Sequence, residues 1–196
     1  MLDRTRLALR ADGFRPLEGP LPLIAIGVGL VGLDLVARFM PHGAIGMPMA
    51  ASALIAGFLM RSRPVAFLVP IAALAISDTY LGGYDWRIMA SVYLTLGLPA
   101  LLGGLARTRY AALVLAGLSL ASSLLFFVVV NFAVWRFGHL YPVTPSGLFE
   151  SYVAGLPFLR AATESNLGWT LALFAIVAGA RSFQEHPVSP ALARTA

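Results

Sequence analysis

Long apolar runs separated by short polar turns dominate the chain. Six can be marked, at roughly 21–40, 44–60, 65–77, 88–106, 110–135 and 167–183. A helix needs about 20 apolar residues to cross the hydrocarbon core of a bilayer, with a range near 17–25. The first, fourth and fifth runs meet this easily. The second is short. The third reaches the length only by continuing into 78–81, and the sixth by taking Asn166 and its neighbours at its outer end. Between the fifth and sixth, residues 147–160 place Leu148, Tyr152, Leu156 and Leu159 at helical spacing, but the segment is too short to cross and carries Glu150 and Arg160. That pattern predicts a helix lying in the outer interface, with Ser151 open to the aqueous side. The predicted fold is therefore all-α: a polytopic membrane helix bundle of about six transmembrane helices plus a short outer interfacial helix. Residues 1–20 form an N-terminal tail, 21–183 the transmembrane domain and 184–196 a C-terminal tail.

Composition strengthens this reading. The 196 residues are 59% apolar and only 12% charged, with a mean hydropathy of +0.82. A soluble domain is nearer half apolar and a quarter charged, and one of this size leaves roughly a third of its surface in water. A soluble enzyme, a secreted disulfide scaffold and a disordered chain are excluded. Cysteine is absent, which removes disulfides, thiolate metal sites and a Cys nucleophile. The first apolar run is not followed by a small-residue cleavage site in a polar context, so no cleavable signal peptide is expected.

All 14 basic side chains are Arg, and the pI is about 10.2. They lie in short clusters between apolar runs, which points to topology and not to nucleic acid. With the N-terminus inside, Arg4, Arg6, Arg10, Arg15, Arg61, Arg63, Arg107, Arg109, Arg181 and Arg194 are cytoplasmic. Arg38, Arg87, Arg136 and Arg160 are outside, a ten-to-four split that follows the positive-inside rule. Both termini are predicted in the cytoplasm, with the chain in a bacterial inner membrane.

The outer segments are the chemically richer ones. They hold Asp78, Asp85, Glu150, Glu164, His42, His139 and every Trp, with Asp34 near the outer end of the first span. An aromatic belt normally marks both interfaces, so one-sided loading points to an outward-facing site, although longer loops also carry more residues. In the stretch from Ser77 to Trp86, Gly82 and Gly83 permit a sharp turn, and Tyr80, Tyr84 and Trp86 offer flat surfaces with polar tips. This is either a ligand loop around Asp78 or a capped helix end with belt aromatics. Asp34 and Arg38, four apart in the first span, meet on one helix face and are read as a structural ion pair. Asn131 in the fifth span wants a hydrogen-bond partner across helices. The string Gly27-Val-Gly-Leu-Val-Gly32 lies inside a span and is no dinucleotide fingerprint. Small residues at Ala25, Gly29 and Gly32, and at Ala50, Ala53 and Gly57, suit close helix packing, internal before external. The His and acidic residues lack metal-ligand spacing, and no G-x-S-x-G is present.

The segments Met40-Pro-His42, Ser77-Asp-Thr-Tyr-Leu-Gly82, Asn131-Phe-Ala-Val-Trp135 and Leu140-Tyr-Pro-Val-Thr144 resemble an uncharacterised family of small bacterial integral membrane proteins. The resemblance covers about residues 40–175. Where such proteins often carry an acid at the start of the last span, this chain has Asn166. Their architecture is similar to the substrate-binding S components of energy-coupling-factor transporters, including the solitary cobalamin type. That likeness implies both termini inside and an outward pocket roofed by loops. The cobalt-ligating Cys of the cobalamin type has no counterpart here.

The expected function is a membrane-embedded small-molecule uptake subunit without enzymatic activity or cofactor. Its outward ligand site would be lined by Asp78, Tyr80, Tyr84, Trp86, Asn131, Trp135, His139 and Tyr141, and a partner complex would supply energy. The alternative is an accessory or scaffold subunit packed against a larger respiratory or photosynthetic membrane complex. In either case the small-residue faces of the first two spans are the candidate contacts.

Overall fold

The computed structural model describes residues 14, 16–40 and 46–185. Among these there are six α-helices and no strand: α1 (Pro20–Phe39), α2 (Met49–Leu59), α3 (Arg63–Leu81), α4 (Trp86–Leu102), α5 (Ala111–Phe137) and α6 (Pro145–Glu185). A 3-10 turn, Gly103–Ala106, extends α4. Four segments are long and apolar enough to cross a membrane: Pro20–Phe39, Arg63–Leu81, Trp86–Ala106 and Ala111–Phe137.

Local chemistry sets the ends. Proline occupies the first turn of α1 and of α3, where its missing N–H is not needed. Asp85 caps α4 by accepting the Arg87 N–H at 2.9 Å. α3 stops at Gly82, whose φ of 89° suits glycine, and α5 stops before His139, which adopts φ 56°. The helices alternate in direction. Pro20, Leu59, Arg63 and Arg107 share one end, called proximal here. Phe39, Leu81, Trp86 and Phe137 share the other, the distal end.

The second apolar run behaves differently from a span. Its helix begins only after Pro48 and is 11 residues long, about 16 Å at 1.5 Å per residue. All 11 residues are buried, and α1, α3, α4, α5 and α6 surround them. Its small residues permit the enclosure: a Cβ on Gly57 would lie 2.0 Å from the Ala100 carbonyl oxygen, and one on Gly103 2.1 Å from that of Leu54. The Ala50, Ala53 and Gly57 face is thus used internally, against α4. Gly29 and Gly32 on α1 have nothing within 4 Å of an added Cβ, so the α1 face looks outward, contrary to the expectation of internal packing.

The proximal end of α2 is capped by a distant side chain. Arg107 donates from Nε to the Phe58 carbonyl at 2.9 Å, and from a terminal nitrogen to Gly57 at 2.9 Å and Met60 at 2.6 Å. The Leu17 N–H takes the Leu59 carbonyl at 2.9 Å. The last carbonyls of a helix lack intrahelical partners, and here each finds one.

The predicted interfacial helix is not separate. Residues 147–160 are the first turns of α6, a continuous helix of 41 residues with Pro157 inside it. The segment turns a small-residue face inward, with Leu148, Tyr152 and Leu159 of the expected apolar face half-buried beside it. Ser151, predicted to be accessible, is buried and donates to the main-chain carbonyl of Asn131 at 3.0 Å. A Cβ on Gly155 would meet the Asn131 side chain at 2.6 Å. Ser151 and Gly155, spaced by four and both buried, let α6 close onto α5; Gly147 closes onto Pro142 in the preceding loop, and Leu156 stays exposed. Lower down, the Asn166 amide donates to Ser123 Oγ at 2.9 Å.

Candidate functional site

At the distal end of α2 lies a group of polar side chains in apolar surroundings. Asp34, on α1, is fully buried. Ser52 Oγ is 2.6 Å from Asp34 Oδ2 and 2.9 Å from the Met49 carbonyl, so its single proton serves one of them at a time. Asp34 Oδ1 and Arg38 Nε have no hydrogen-bond partner. Buried polar atoms are nearly always paired, and an orphan costs about 1–3 kcal/mol.

Arg38 does not close on Asp34, as the four-residue spacing predicts. Its terminal nitrogen donates to Asp78 Oδ1 of α3 at 2.5 Å, and the other reaches Met49 Sδ at 3.9 Å. The Tyr93 hydroxyl of α4 donates to Asp78 Oδ2 at 3.0 Å. The ion pair is nearly withdrawn from solvent, at 16% exposure for the Arg38 side chain and 9% for Asp78. One guanidinium therefore stands among two carboxylates. α1, α2, α3 and α4 each contribute to the group. Asp34 is five residues, roughly 8 Å, from the last residue of α1, which places the group inside the apolar length of that helix.

The eight residues anticipated from sequence all fall at the distal end, but they do not converge on one cavity. Asp78 is inside the polar group. Tyr84 lies in the turn after α3, half exposed, its phenol pushed above the ordinary value by burial and then by the Asp78 carboxylate, with Arg38 opposing. Tyr80 is exposed and meets the Phe39 ring edge-on at 6.1 Å. Trp86 is exposed, with the Arg87 guanidinium 5.5 Å from its ring and 5.0 Å from that of Phe137. Arg87 thereby joins the α3–α4 turn to the end of α5. Asn131 and Trp135 lie in the last two turns of α5, and His139 and Tyr141 in the loop that follows it. Trp135 Nε1 donates to the Pro142 carbonyl at 3.0 Å, and the Asn131 amide bonds back to the Phe127 carbonyl of its own helix at 2.7 Å. The partner expected for Asn131 across helices is found by its main-chain carbonyl, through Ser151, and not by its side chain. His42 lies outside the described residues. Among those residues no group of His and acidic side chains is arranged to hold a metal ion.

Ser52 and Tyr93 were missed in the sequence because a lone hydroxyl within an apolar run is an ordinary sight. Their signal was conditional: once Asp34 and Asp78 are placed on neighbouring helices, each carboxylate requires a donor.

An all-helical bundle with membrane-length apolar helices and charged groups buried among them has the build of an integral membrane protein. The chain belongs to a family of unknown function, DUF6580, whose model matches residues 20–189. Neither a curated protein nor a solved structure matches it.

Proposed function

We propose that this protein is a membrane-embedded small-molecule uptake subunit that takes its solute from the outer face, at the distal end of the bundle. The observation that carries this reading is the buried pair of unused atoms, Asp34 Oδ1 and Arg38 Nε, one turn apart on α1. Ionisable residues within apolar helices are costly and mark solute and ion pathways. An acceptor and a donor side by side match a solute that carries both a hydrogen-bond donor and an acceptor. The group sets two carboxyl groups against one guanidinium, which favours cationic or donor-rich solutes over anions. Tyr84, whose phenol feels the Asp78 carboxylate, and its neighbours Tyr80 and Trp86 form the approach.

In this reading six segments make up the bundle, both termini are cytoplasmic, and the architecture is of the S-component kind in a bacterial inner membrane. The sequence carries no phosphate-binding loop, so a partner supplies the energy, and the outward Ala25, Gly29 and Gly32 face of α1 is its contact. That open face also favours the second reading, an accessory subunit held in a larger complex.

The test is mass spectrometry of small molecules extracted from wild-type protein and from Asp34→Asn, both purified in mild detergent. A molecule retained by wild type and lost in the variant, at unchanged melting temperature, supports uptake. Equal retention by both removes Asp34 from the site, and stoichiometric co-purification with a large complex supports the accessory role.

A further inference from the structure

The proximal half of the bundle carries a feature unrelated to the polar group. A groove of about 330 Å³ runs between α1 and α3 over the end of α2. Leu23, Gly27 and Val31 form one wall, Val65 and Val69 the other, and Met60 the floor. At roughly 30 Å³ for each water-sized group, the volume admits about ten methylene units. Along α1 the groove covers the eight steps from Leu23 to Val31, about 12 Å of helix. It opens sideways, where a membrane protein meets lipid tails.

Its proximal mouth is charged. Arg61 and Arg63 follow Met60 directly in sequence, precede Val65, and are both exposed. Among the described residues no carboxylate pairs with either. A third guanidinium, Arg107, stands close enough that Arg63 and Arg61 depress its pKa, an effect second to that of burial. Three like charges crowded at one mouth repel one another, and an anion placed among them relieves that repulsion.

We propose that this groove and its mouth form a site for one anionic phospholipid, with an acyl chain between α1 and α3 and the phosphate at Arg61 and Arg63. The apolar walls select for a chain but not for a headgroup. The two arginines supply the headgroup preference, and Arg107 stays engaged in capping α2. Free phosphate lacks the chain and would gain only the weak, solvent-screened attraction of an exposed guanidinium pair.

The experiment is native mass spectrometry of the full chain in detergent, with equal amounts of phosphatidylglycerol and phosphatidylcholine of identical chains. Wild type should retain one phosphatidylglycerol in clear preference to phosphatidylcholine, because only the former brings a net negative charge to the two arginines. Arg61→Gln with Arg63→Gln should bind both lipids equally. Val28→Trp, at an exposed position in the groove wall, should lose both while melting as wild type does. Excess inorganic phosphate should displace nothing. Equal retention of the two lipids by wild type, a preference that survives in the double variant, or displacement by phosphate would each overturn the site.

Discussion

Arg107→Ala should destabilise the bundle at its proximal end. The guanidinium makes three hydrogen bonds, to the carbonyls of Gly57, Phe58 and Met60, at 2.9, 2.9 and 2.6 Å. Their acceptors belong to a helix all of whose residues are buried, so few alternatives exist. Hydrogen bonds to a charged group contribute about 1.5–3 kcal/mol each, and the positive charge also opposes the negative end of the α2 dipole. Full addition would overstate the loss. Arg107 is only half-buried, so water can replace part of the fork, and removing it also relieves repulsion with Arg61 and Arg63. A net cost of about 2–4 kcal/mol follows. For a chain of this length that corresponds to a fall in Tm of about 4–16 °C, read by thermal unfolding of the detergent-purified protein. Arg107→Lys should fall between the two, because one ammonium cannot span three carbonyls. An Arg107→Ala protein that melts with wild type would refute the capping argument. A Lys variant as stable as wild type would show that charge alone matters, not the fork.

Asp78→Asn should lower Tm by the equivalent of about 3 kcal/mol, since it removes the one carboxylate that the Arg38 guanidinium engages directly in a nearly dry site, whereas Tyr93→Phe should cost only about 1 kcal/mol. Both are read from the same melting curves, and equal effects would mean that the ion pair does not dominate. Gly57→Val should yield no folded protein, because any Cβ there collides with the Ala100 backbone, while Gly29→Ala, facing open space, should be neutral or stabilising by up to about 1 kcal/mol. Yield of monodisperse protein distinguishes them. Reporter fusions after Arg61 and after Arg107 should both report cytoplasm, and one at Gly83 periplasm. A periplasmic signal at Arg107 contradicts the orientation, and disagreement between Arg61 and Arg107 contradicts the fold, because Arg107 bonds the carbonyl of Met60.

Hydropathy located most of the helices because an apolar run bounded by Pro, Gly or Arg has few other outcomes. α1 and α5 begin and end within two residues of the expected runs, and α3 does continue through Asp78 to Leu81. The run at 44–60 misleads because hydropathy counts apolar residues without asking what surrounds them. A helix buried in protein and a helix facing lipid read alike. Pro48 and the density of Ala in 49–56 were the available signs of a short, closely packed element. α6 was divided in two because Glu150, Arg160 and Glu164 interrupt its apolarity. Those charges lie on the exposed side, Arg160 and Glu164 paired with each other at 2.9 Å, and they do not interrupt the helix. At the candidate site, Asp34, Arg38 and Asp78 were each singled out, but spacing could pair only neighbours on one helix. The partner of Arg38 lies 40 residues away, and only the packing of α1 on α3 supplies it.

The two ends of α2 are held in different ways, and the difference bears on how a solute could act. Proximally, a guanidinium fork binds main-chain carbonyls, groups whose loss leaves the backbone itself unsatisfied. Distally, one hydroxyl joins α2 to Asp34, and that hydroxyl already has a second acceptor in the Met49 carbonyl. Ser52 can therefore release Asp34 without being left unpaired. A solute donor at Asp34 Oδ1 would add a contact, and the Ser52 bond to Oδ2 is one that the helix can spare. Arg38 likewise has an unused Nε beside its bond to Asp78, so an acceptor on the solute can be met without breaking the ion pair. A solute could therefore be held at this group while the proximal cap and the α1–α3 ion pair stay in place.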